Sequence, residues 1–351
     1  MKTILVTGGC GFIGSNFIRY TLAAESGMRI VNFDALTYAG NLENLKGVLD
    51  GQRLIFVRGD IRDKTAVSGL FNKYDFDCVI NFAAESHVDR SFADPELFCQ
   101  TNVGGVVNLL NAAKEFWREG KGFKAGKRFL QISTDEVYGS LGKEGSFSEN
   151  SPLDPHSPYS AGKASADLFV KAYFDTYGLP CLITRCSNNF GPRQFPEKLI
   201  PLVFNNACAL RPVPIYGDGL QVRDWLYVSD HCAAIEAVLA KGGLGQVYNI
   251  GGHNEKTNLE IVRAVIGYVG QNINPKAGDN LITHVADRPG HDRRCAVDSA
   301  KIQSELGWRP QTTFEKGLAA TLDWYKNNPE WLKNATSGKY KAYYEKMYLN
   351  R

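Results

Sequence analysis

Short apolar segments and longer amphipathic segments alternate through the first half of the chain. The apolar segments predict β-strands over residues 3–7, 30–33, 54–58, 78–82, 129–133 and 181–185. Between them, apolar residues recur with helical spacing, most clearly over 13–24, 95–115 and 159–177. Strands that are apolar along nearly their whole length are typical of a parallel sheet covered by helices on both faces. Because such crossovers are right-handed, the pattern predicts an α/β fold with a doubly wound, Rossmann-type parallel sheet.

The alternation ends after residue 185, where prolines and glycines such as Gly191, Pro192 and Gly217 interrupt the chain. One further apolar segment, 246–250, predicts a strand that returns to the sheet. We therefore predict a sheet domain over 1–190, with 224–252 returning to it. The remaining segments, 191–223 and 253–351, are predicted to form a smaller C-terminal lobe.

Composition limits the function classes. Of 351 residues, 44% are hydrophobic and 22% are charged, which is ordinary for a globular protein. The net charge of +3, without any block of five like charges, argues against a nucleic-acid-binding surface. No apolar run reaches the ~18 residues that cross a bilayer, and the run at 4–6 is too short for a secretion signal. The eight cysteines form no Cys-x-x-Cys pair and the six histidines no cluster, so we expect a reduced, cytoplasmic protein without a metal site.

A glycine-rich loop follows the first predicted strand and opens the first predicted helix. Gly8, Gly11 and Gly14 are spaced as G-x-x-G-x-x-G, which permits a tight turn and lets a pyrophosphate reach the helix N-terminus. Asp34 ends the second strand, 20 residues after Gly14, where a carboxylate accepts hydrogen bonds from ribose hydroxyls and repels a 2′-phosphate. The sheet domain is therefore predicted to bind NAD in preference to NADP. The alternative is a glycine turn that serves helix–sheet packing only. Asp60, after the third strand, is a candidate for the adenine end, although turn formation explains it almost as well.

Tyr159 and Lys163 are four residues apart at the start of a predicted helix, so they share one face. A lysine ammonium beside a phenol is expected to lower the tyrosine pKa, which suits a base that takes a proton from a substrate hydroxyl as hydride leaves the same carbon. The helix follows the strand 129–133, where the nicotinamide end of a dinucleotide is expected. Ser133, at the end of that strand, is a candidate hydrogen-bond partner for the same hydroxyl. The alternative is an exposed surface pair worth only tenths of a kcal/mol.

Together these features resemble the extended short-chain dehydrogenase/reductase superfamily, whose members modify nucleotide sugars. More specific motifs cover nearly the whole chain and match the dehydratases of that superfamily most closely. They are 34–41 (DALTYAGN), 83–91 (AAESHVDRS), 133–139 (STDEVYG), 187–192 (SNNFGP), 194–201 (QFPEKLIP) and 287–294 (DRPGHDRR).

The informative motif contains Thr134, Asp135 and Glu136. Elimination of water needs an acid and a base beyond the hydride transfer, and paired carboxyl groups divide these roles when their environments separate their pKa values. The resemblance assigns Asp135 as the acid and Glu136 as the base, with Thr134 holding the substrate oxygen. It implies conversion of dTDP-glucose to dTDP-4-keto-6-deoxyglucose with tightly bound NAD. The product would enter deoxysugar biosynthesis, of rhamnose or of other deoxysugars.

The resemblance also implies the residues that contact each ligand. The catalytic residues are Thr134, Asp135, Glu136, Tyr159 and Lys163. Those at the cofactor are Gly8, Gly11, Phe12, Ile13, Gly14, Asp34, Leu36, Thr37, Asp60, Ile61, Ala83, Ala84, Ser86, Thr101, Ser133, Tyr159, Lys163 and Asn189. Those at the substrate are Ser86, Thr134, Asn188, Glu197, Lys198, Leu199, Pro214, Tyr216, Arg223, Asn258, Arg288 and His291.

Two alternatives to this reading stay open. One is a dehydratase or epimerase that acts on another nucleotide sugar, such as a UDP-hexose. The other is an NAD-binding regulatory or scaffolding protein with a silent site. The resemblance further implies a homodimer formed through the helices predicted over 95–115 and 159–177.

Overall fold

A seven-stranded parallel sheet organises the computed structural model of this chain, which describes residues 2–337. The last residues of the predicted lobe, 338–351, lie outside that range. The strands of the described part are β1 (Lys2–Thr7), β2 (Met28–Asp34), β3 (Leu54–Arg58), β4 (Cys78–Asn81), β5 (Arg118–Glu119), β6 (Gly122–Phe123), β7 (Arg128–Thr134), β8 (Cys181–Cys186), β9 (Asn188–Phe190), β10 (Val213–Tyr216), β11 (Val222–Tyr227), β12 (Val247–Ile250), β13 (Glu255–Thr257), β14 (Ile282–Val285) and β15 (Arg294–Cys295).

Helices connect these strands and cover both faces of the sheet. They are α1 (Phe12–Ala24), α2 (Lys64–Lys73), α3 (Val88–Ala93), α4 (Pro95–Cys99), α5 (Val106–Phe116), α6 (Pro158–Tyr177), α7 (Leu199–Cys208), α8 (Val228–Lys241), α9 (Asn258–Asn272), α10 (Ala300–Leu306), α11 (Phe314–Asn327) and α12 (Pro329–Ala335). Among residues 2–337, no helix combines the length and the apolar character needed to cross a membrane.

The strand order is β12-β8-β7-β4-β1-β2-β3, and every pair in this sheet is parallel. The chain runs outward from β1 to β3 and then returns to build the other half from β4 onward. The order therefore reverses between β1 and β4, and a crevice opens beyond their carboxyl ends. The doubly wound sheet predicted from the sequence is confirmed.

Alternate residues of the central strands pack into two separate hydrophobic layers. In β1, Ile4 and Val6 face the layer that contains α1 and α8, whereas Leu5 faces the layer that contains α2, α5 and α6. Because both faces are covered, the strand is apolar throughout, which is why the sequence pattern locates it so well.

The C-terminal lobe has its own hydrophobic core and two small sheets. Strands β13, β11 and β15 form one of them, with β9 paired to β11, and β10 pairs with β14. The chain then returns to the large sheet through α8 and β12. Helix α10, which the predicted boundaries place in the lobe, instead packs its Ile302 and Leu306 against the α1–α8 layer. By this packing α10 covers β12 of the large sheet, and the domain boundaries themselves stay a prediction.

The single helix predicted over 95–115 is interrupted. A π-helical turn over Gln100–Gly105 separates α4 from α5. Inside it, the Asn102 side chain accepts from the backbone N–H of Glu85 (2.9 Å) and donates to the carbonyl of the same residue (3.0 Å). The wider turn thus ties the helix to the loop after β4. π-turns of this kind are frequent at functional sites.

Candidate active site

A cavity of ≈ 300 Å³ occupies the crevice at the reversal of strand order. It extends from the glycine loop, past the ends of β2, β3 and β4, to the ends of β7 and β8. Among the residues singled out from the sequence, those in its wall are Gly8, Gly11, Phe12, Ile13, Gly14, Asp34, Thr37, Asp60, Ile61, Ala83, Ala84, Ser86, Thr101, Ser133, Thr134, Asp135, Glu136, Tyr159, Lys163, Asn188, Asn189, Glu197 and Lys198.

The glycine loop admits no side chain at its critical positions. Gly8 has φ +70°, and a Cβ there would lie 2.6 Å from the backbone nitrogen of Ala83. A Cβ on Gly14 would lie 2.6 Å from the carbonyl oxygen of Gly8. Helix α1 begins directly after Gly11, which caps it without a side chain. The first N–H groups of the helix are therefore open to the cavity, which is the arrangement that binds a phosphate.

Asp34 is fixed at the end of β2 by backbone donors. Its two carboxylate oxygens accept from the N–H groups of Cys10 and Leu36, each at 2.8 Å. Burial raises the pKa of Asp34, and these two hydrogen bonds lower it. Leu36 does not line the cavity and acts here through its backbone. Asp60 forms a turn with the N–H of Arg62 (2.9 Å) and an ion pair with its guanidinium (2.6 Å), while still facing the cavity.

The candidate catalytic residues meet where β7 ends and α6 begins. Thr134 caps the 3₁₀ helix Asp135–Tyr138: its hydroxyl accepts from the N–H of Glu136 (3.3 Å) and donates to Asp135 (3.2 Å). Tyr159 lies in the first turn of α6 and is hydrogen-bonded to the same hydroxyl. One turn later, the Lys163 ammonium donates to the carbonyl of Ile132 in β7 (2.5 Å). The structure thus brings all five candidate catalytic side chains to one end of the cavity.

The Ser133 hydroxyl is placed differently from the expectation. Ser133 lines the cavity, but its hydroxyl donates to the Asp167 carboxylate at 3.0 Å and the residue is buried. Successive residues of a strand point to opposite faces, so the hydroxyl that meets Tyr159 is that of Thr134. Ser133 is therefore engaged in a contact with α6.

Comparisons with known proteins agree with this arrangement. A family profile described as GDP-mannose 4,6 dehydratase matches residues 5–321. A dTDP-glucose 4,6-dehydratase of Xanthomonas campestris pv. campestris is 52% identical over 345 residues, which span 97% of this chain and 98% of the relative. The chain belongs to the dTDP-glucose 4,6-dehydratase family.

Solved structures of dTDP-glucose 4,6-dehydratases share the whole fold. The enzyme of Bacillus anthracis, in complex with NAD, is 48% identical with a TM-score of 0.85, covering 95% of this chain and 100% of that one. The enzyme of Streptomyces venezuelae, also with NAD bound, is 46% identical with a TM-score of 0.86, covering 95% and 99%. The superfamily resemblance found in the sequence is confirmed.

The two neighbouring carboxyl groups of this dehydratase-family member lie in unlike surroundings. Asp135 is 1% exposed, and burial together with the charge of Glu136 raises its pKa to about 8. Its Oδ2 has no hydrogen-bond partner within residues 2–337. Glu136 is half-buried and faces the cavity. At neutral pH Asp135 therefore carries a proton, as expected for an acid.

The expected lowering of the Tyr159 pKa is wrong for this structure. Burial and the nearby Glu136 and Asp135 carboxyl groups raise that pKa well above its ordinary value, and only the Thr134 hydrogen bond opposes them. The Lys163 ammonium is directed at a backbone carbonyl, and burial lowers its own pKa, while Asp167 raises it. Spacing on the helix places both residues on the cavity, but it does not reveal the burial that raises the Tyr159 pKa.

Six of the candidate substrate residues lie in the lobe and do not line the cavity: Pro214, Tyr216, Arg223, Asn258, Arg288 and His291. Leu199 also lies outside its wall, at the first turn of α7. Arg288 approaches Asp89 of α3 at 3.7 Å, and the Tyr216 hydroxyl donates to the same carboxylate at 2.8 Å. Asp89 therefore holds two of the lobe residues next to the sheet domain.

Two more of these residues are held by loops of the lobe. Arg223 donates to the carbonyl of Asp292 at 2.9 Å. His291 lies 2.7 Å from Asp287, and burial lowers its pKa to about 4, so its ring is neutral at pH 7.

Sequence reasoning missed several residues of this site. Arg90 pairs with Glu197 (3.1 Å) and lies over the Tyr38 ring, 3.8 Å from its centroid. Asp89 and Arg90 belong to the motif at 83–91, but the motif gave them no role. Asp167 follows Lys163 by four residues, so helical spacing could have predicted that the two share one face of α6. In the described part of the chain, no group of three or more His, Cys, Asp or Glu side chains is arranged to hold a metal ion.

Proposed function

We propose that this chain is an NAD-dependent hydro-lyase that converts dTDP-glucose to dTDP-4-keto-6-deoxyglucose and water. The observation that carries the proposal is the pair of unlike carboxyl groups, Asp135 and Glu136, beside Tyr159 in one cavity. An epimerase only moves a hydride away and back, so it has no use for two further proton-transfer groups. The identity of the relatives supports the same reaction.

The residues of the crevice fit a bound dinucleotide. Gly8 and Gly14 leave space that a Cβ would fill, and the open N-terminus of α1 suits the pyrophosphate. Asp34 is buried, negatively charged when ionised, and placed for the ribose hydroxyls, which favours NAD over a 2′-phosphorylated cofactor. Bound NAD supplies the chemistry that the side chains lack, the reversible transfer of a hydride.

The first proton transfer falls to Tyr159. Its phenol is hydrogen-bonded to Thr134, so both hydroxyl groups can contact the C4 hydroxyl of the sugar. Tyr159 takes the C4 proton as C4 is oxidised to a ketone. Burial keeps Tyr159 a neutral phenol before the reaction, and we propose that Lys163, one turn behind on α6, supplies the positive charge that stabilises the phenolate as it forms.

Asp135 and Glu136 then remove water across C5 and C6. The C4 ketone acidifies the proton on C5, and Glu136, which faces the cavity, takes it. Asp135 is protonated at neutral pH because it is buried beside Glu136, so it gives its proton to the departing C6 hydroxyl. Reduction at C6 and protonation at C5 complete the product.

The nucleotide is proposed to extend from the cavity into the lobe. Lys198 donates to the carbonyl of Ser86 (2.8 Å) at the cavity wall. Farther into the lobe, Arg288 and Tyr216 both contact the Asp89 carboxylate. Guanidinium and ammonium groups bind a diphosphate through charge-assisted hydrogen bonds. The assignment of Asn258 and His291 to the nucleotide rests on the family resemblance.

A homodimer and a cytoplasmic location complete the proposal. Helix α6 exposes Leu168 by 59% and Phe169 by 42%, and a second copy of the chain would cover such an apolar face. All eight cysteines are free thiols, which suits a reducing compartment. Light scattering on the purified protein tests the first point, since a monomer mass would contradict it.

The reaction is tested by incubating the purified protein with dTDP-glucose, without added NAD, and following product mass. Loss of one water, with UDP-glucose unchanged, is the expected result and also shows that NAD co-purifies. A retained mass with inverted C4 would favour an epimerase. If only a UDP-hexose loses water, the substrate is a UDP-sugar and not dTDP-glucose. If no reaction occurs even when NAD is supplied, the proposal that the protein is an enzyme is overturned.

A further inference from the structure

A buried pair of charges lies directly behind the catalytic face of α6. Asp167 is 1% exposed and Arg185, at the end of β8, is 5% exposed. The Arg185 Nε donates to the Asp167 Oδ2 at 2.8 Å. Neither side chain has a part in the proton transfers described above.

Asp167 links three elements of the sheet domain. Its Oδ2 also accepts from the Ser133 hydroxyl of β7 (3.0 Å), and Arg185 continues to the Tyr138 hydroxyl (2.9 Å). Its Oδ1 is buried without a hydrogen-bond partner in residues 2–337. The carboxylate is therefore fixed in position but keeps one oxygen free of hydrogen bonds.

Lys163 lies one helical turn before Asp167, on the same face of α6. It is 5% exposed, and its ammonium donates to a neutral acceptor, the Ile132 carbonyl. A buried ammonium that contacts only a carbonyl tends to lose its proton, because burial disfavours the charged form. A nearby fixed negative charge opposes that tendency.

The groups around Lys163 identify the source of this charge. On α6, Tyr159 lies one turn before Lys163 and Asp167 one turn after it. Cys186, at the end of β8, also acts on Lys163, and its neighbour Arg185 is paired with Asp167. Cys186 is a buried thiol whose raised pKa, about 12, keeps it neutral. Asp167 therefore provides the negative charge that acts on Lys163.

We propose that Asp167 is a positioning residue for the dehydration: its carboxylate, held by Arg185 and Ser133, keeps the Lys163 ammonium charged next to Tyr159. The inference rests on the proposed function, since it assigns Lys163 to the stabilisation of the Tyr159 phenolate. Arg185 is part of the device, because without it the buried carboxylate would take up a proton.

The alternative is that Asp167 and Arg185 only hold β7, β8 and α6 together. The two roles differ in what they predict for pH dependence. If the pair is purely structural, its loss lowers the stability of the protein and leaves the pH profile of kcat unchanged. Removing both charges together then restores a neutral, hydrogen-bonded site. If the role is electrostatic, removing the Asp167 carboxylate changes the pH profile of kcat, whether or not Arg185 is present.

The test is the pH dependence of kcat for dTDP-glucose in Asp167→Asn. Loss of the negative charge lowers the pH at which Lys163 loses its proton, so the alkaline fall in kcat should move down by about one pH unit or more. Between the displaced fall of the variant and the fall of the wild type, kcat of the variant should be about tenfold below that of the wild type. KM and NAD content should be unchanged. Asp175→Asn is the matched control, since Asp175 is an exposed carboxylate of the same helix, paired with Lys171.

The double variant Asp167→Asn/Arg185→Gln guards against misfolding of the single variant, whose Arg185 charge is left unpaired. The proposal predicts that its alkaline fall is still displaced toward lower pH. A wild-type profile in either folded variant would overturn the proposal and leave a structural role. Absence of dehydration by the wild type itself would instead reject the proposed function.

Discussion

Replacing Asp135 by asparagine should stabilise the protein at neutral pH while it blocks the loss of water. The Asp135 carboxyl is buried beside Glu136, which raises its pKa from 3.8 to about 8. Between these values the folded protein holds a proton that the unfolded chain releases. The free energy of unfolding of the wild type therefore falls as the pH rises through this range. Asparagine has the shape of the protonated acid and does not ionise.

The size of the effect follows from the two pKa values. At pH 7 the solution is about three pH units above the pKa that this carboxyl has in the unfolded chain. At about 1.4 kcal/mol per pH unit, the free energy of unfolding of the wild type is then lowered by about 4 kcal/mol. Asp135→Asn should recover this amount at pH 7 and almost none at pH 4. Dehydration should fall by about 10²–10⁴-fold, the range typical of a lost general acid.

Urea unfolding followed by tryptophan fluorescence, at several pH values from 4 to 8, measures the stability difference. Product mass from dTDP-glucose measures the activity of the same samples. Asp175→Asn, which removes an exposed carboxylate of α6, serves again as the control. A stability difference between Asp135→Asn and wild type that does not change with pH would refute the reasoning.

Three further substitutions test other parts of the site. Glu136→Gln should keep oxidation at C4 but slow deuterium exchange at C5 and loss of water by about 10²–10⁴-fold, and normal exchange would remove Glu136 from the base role. Gly14→Ala places a Cβ 2.6 Å from the Gly8 carbonyl oxygen, so it should cost about 1–3 kcal/mol of stability and release NAD. Gly69→Ala, in open space on α2, should do neither. Lys198→Met should raise KM about 10–100-fold with little change in kcat, through loss of a charge-assisted contact to the diphosphate; an unchanged KM would place the diphosphate elsewhere.

The features that sequence predicted well are local. The central strands are buried on both faces, so their apolar runs mark them to within about two residues. The glycine loop and the Tyr159–Lys163 pair follow predicted strands directly, and parallel strands bring their carboxyl ends to one edge. Asp135 and Glu136 were located for the same reason.

The features that sequence could not predict depend on distant partners. Asp89 meets Tyr216 across 127 residues of chain, and Arg90 meets Glu197 across 107. The raised pKa of Tyr159 comes from burial, which spacing on a helix does not reveal. The apolar pattern over 95–115 fits an uninterrupted α-helix equally well, so it does not predict the π-turn. The π-turn depends on the hydrogen bonds between Asn102 and Glu85, which form only after the loop has folded.

The route of the chain through the large sheet has a consequence for its synthesis. Strands β1 to β4, β7 and β8 are complete at residue 186, yet β12 and α10, which cover that end of the sheet, come from residues 247–250 and 300–306. Until these segments leave the ribosome, β8 is an edge strand with unpaired backbone groups beside an uncovered apolar layer. Such edges are prone to intermolecular pairing. The nascent chain therefore needs protection from the completion of β8 at residue 186 until α10 is complete at residue 306. A truncation meant to isolate the first domain would expose the edge that the C-terminal part covers.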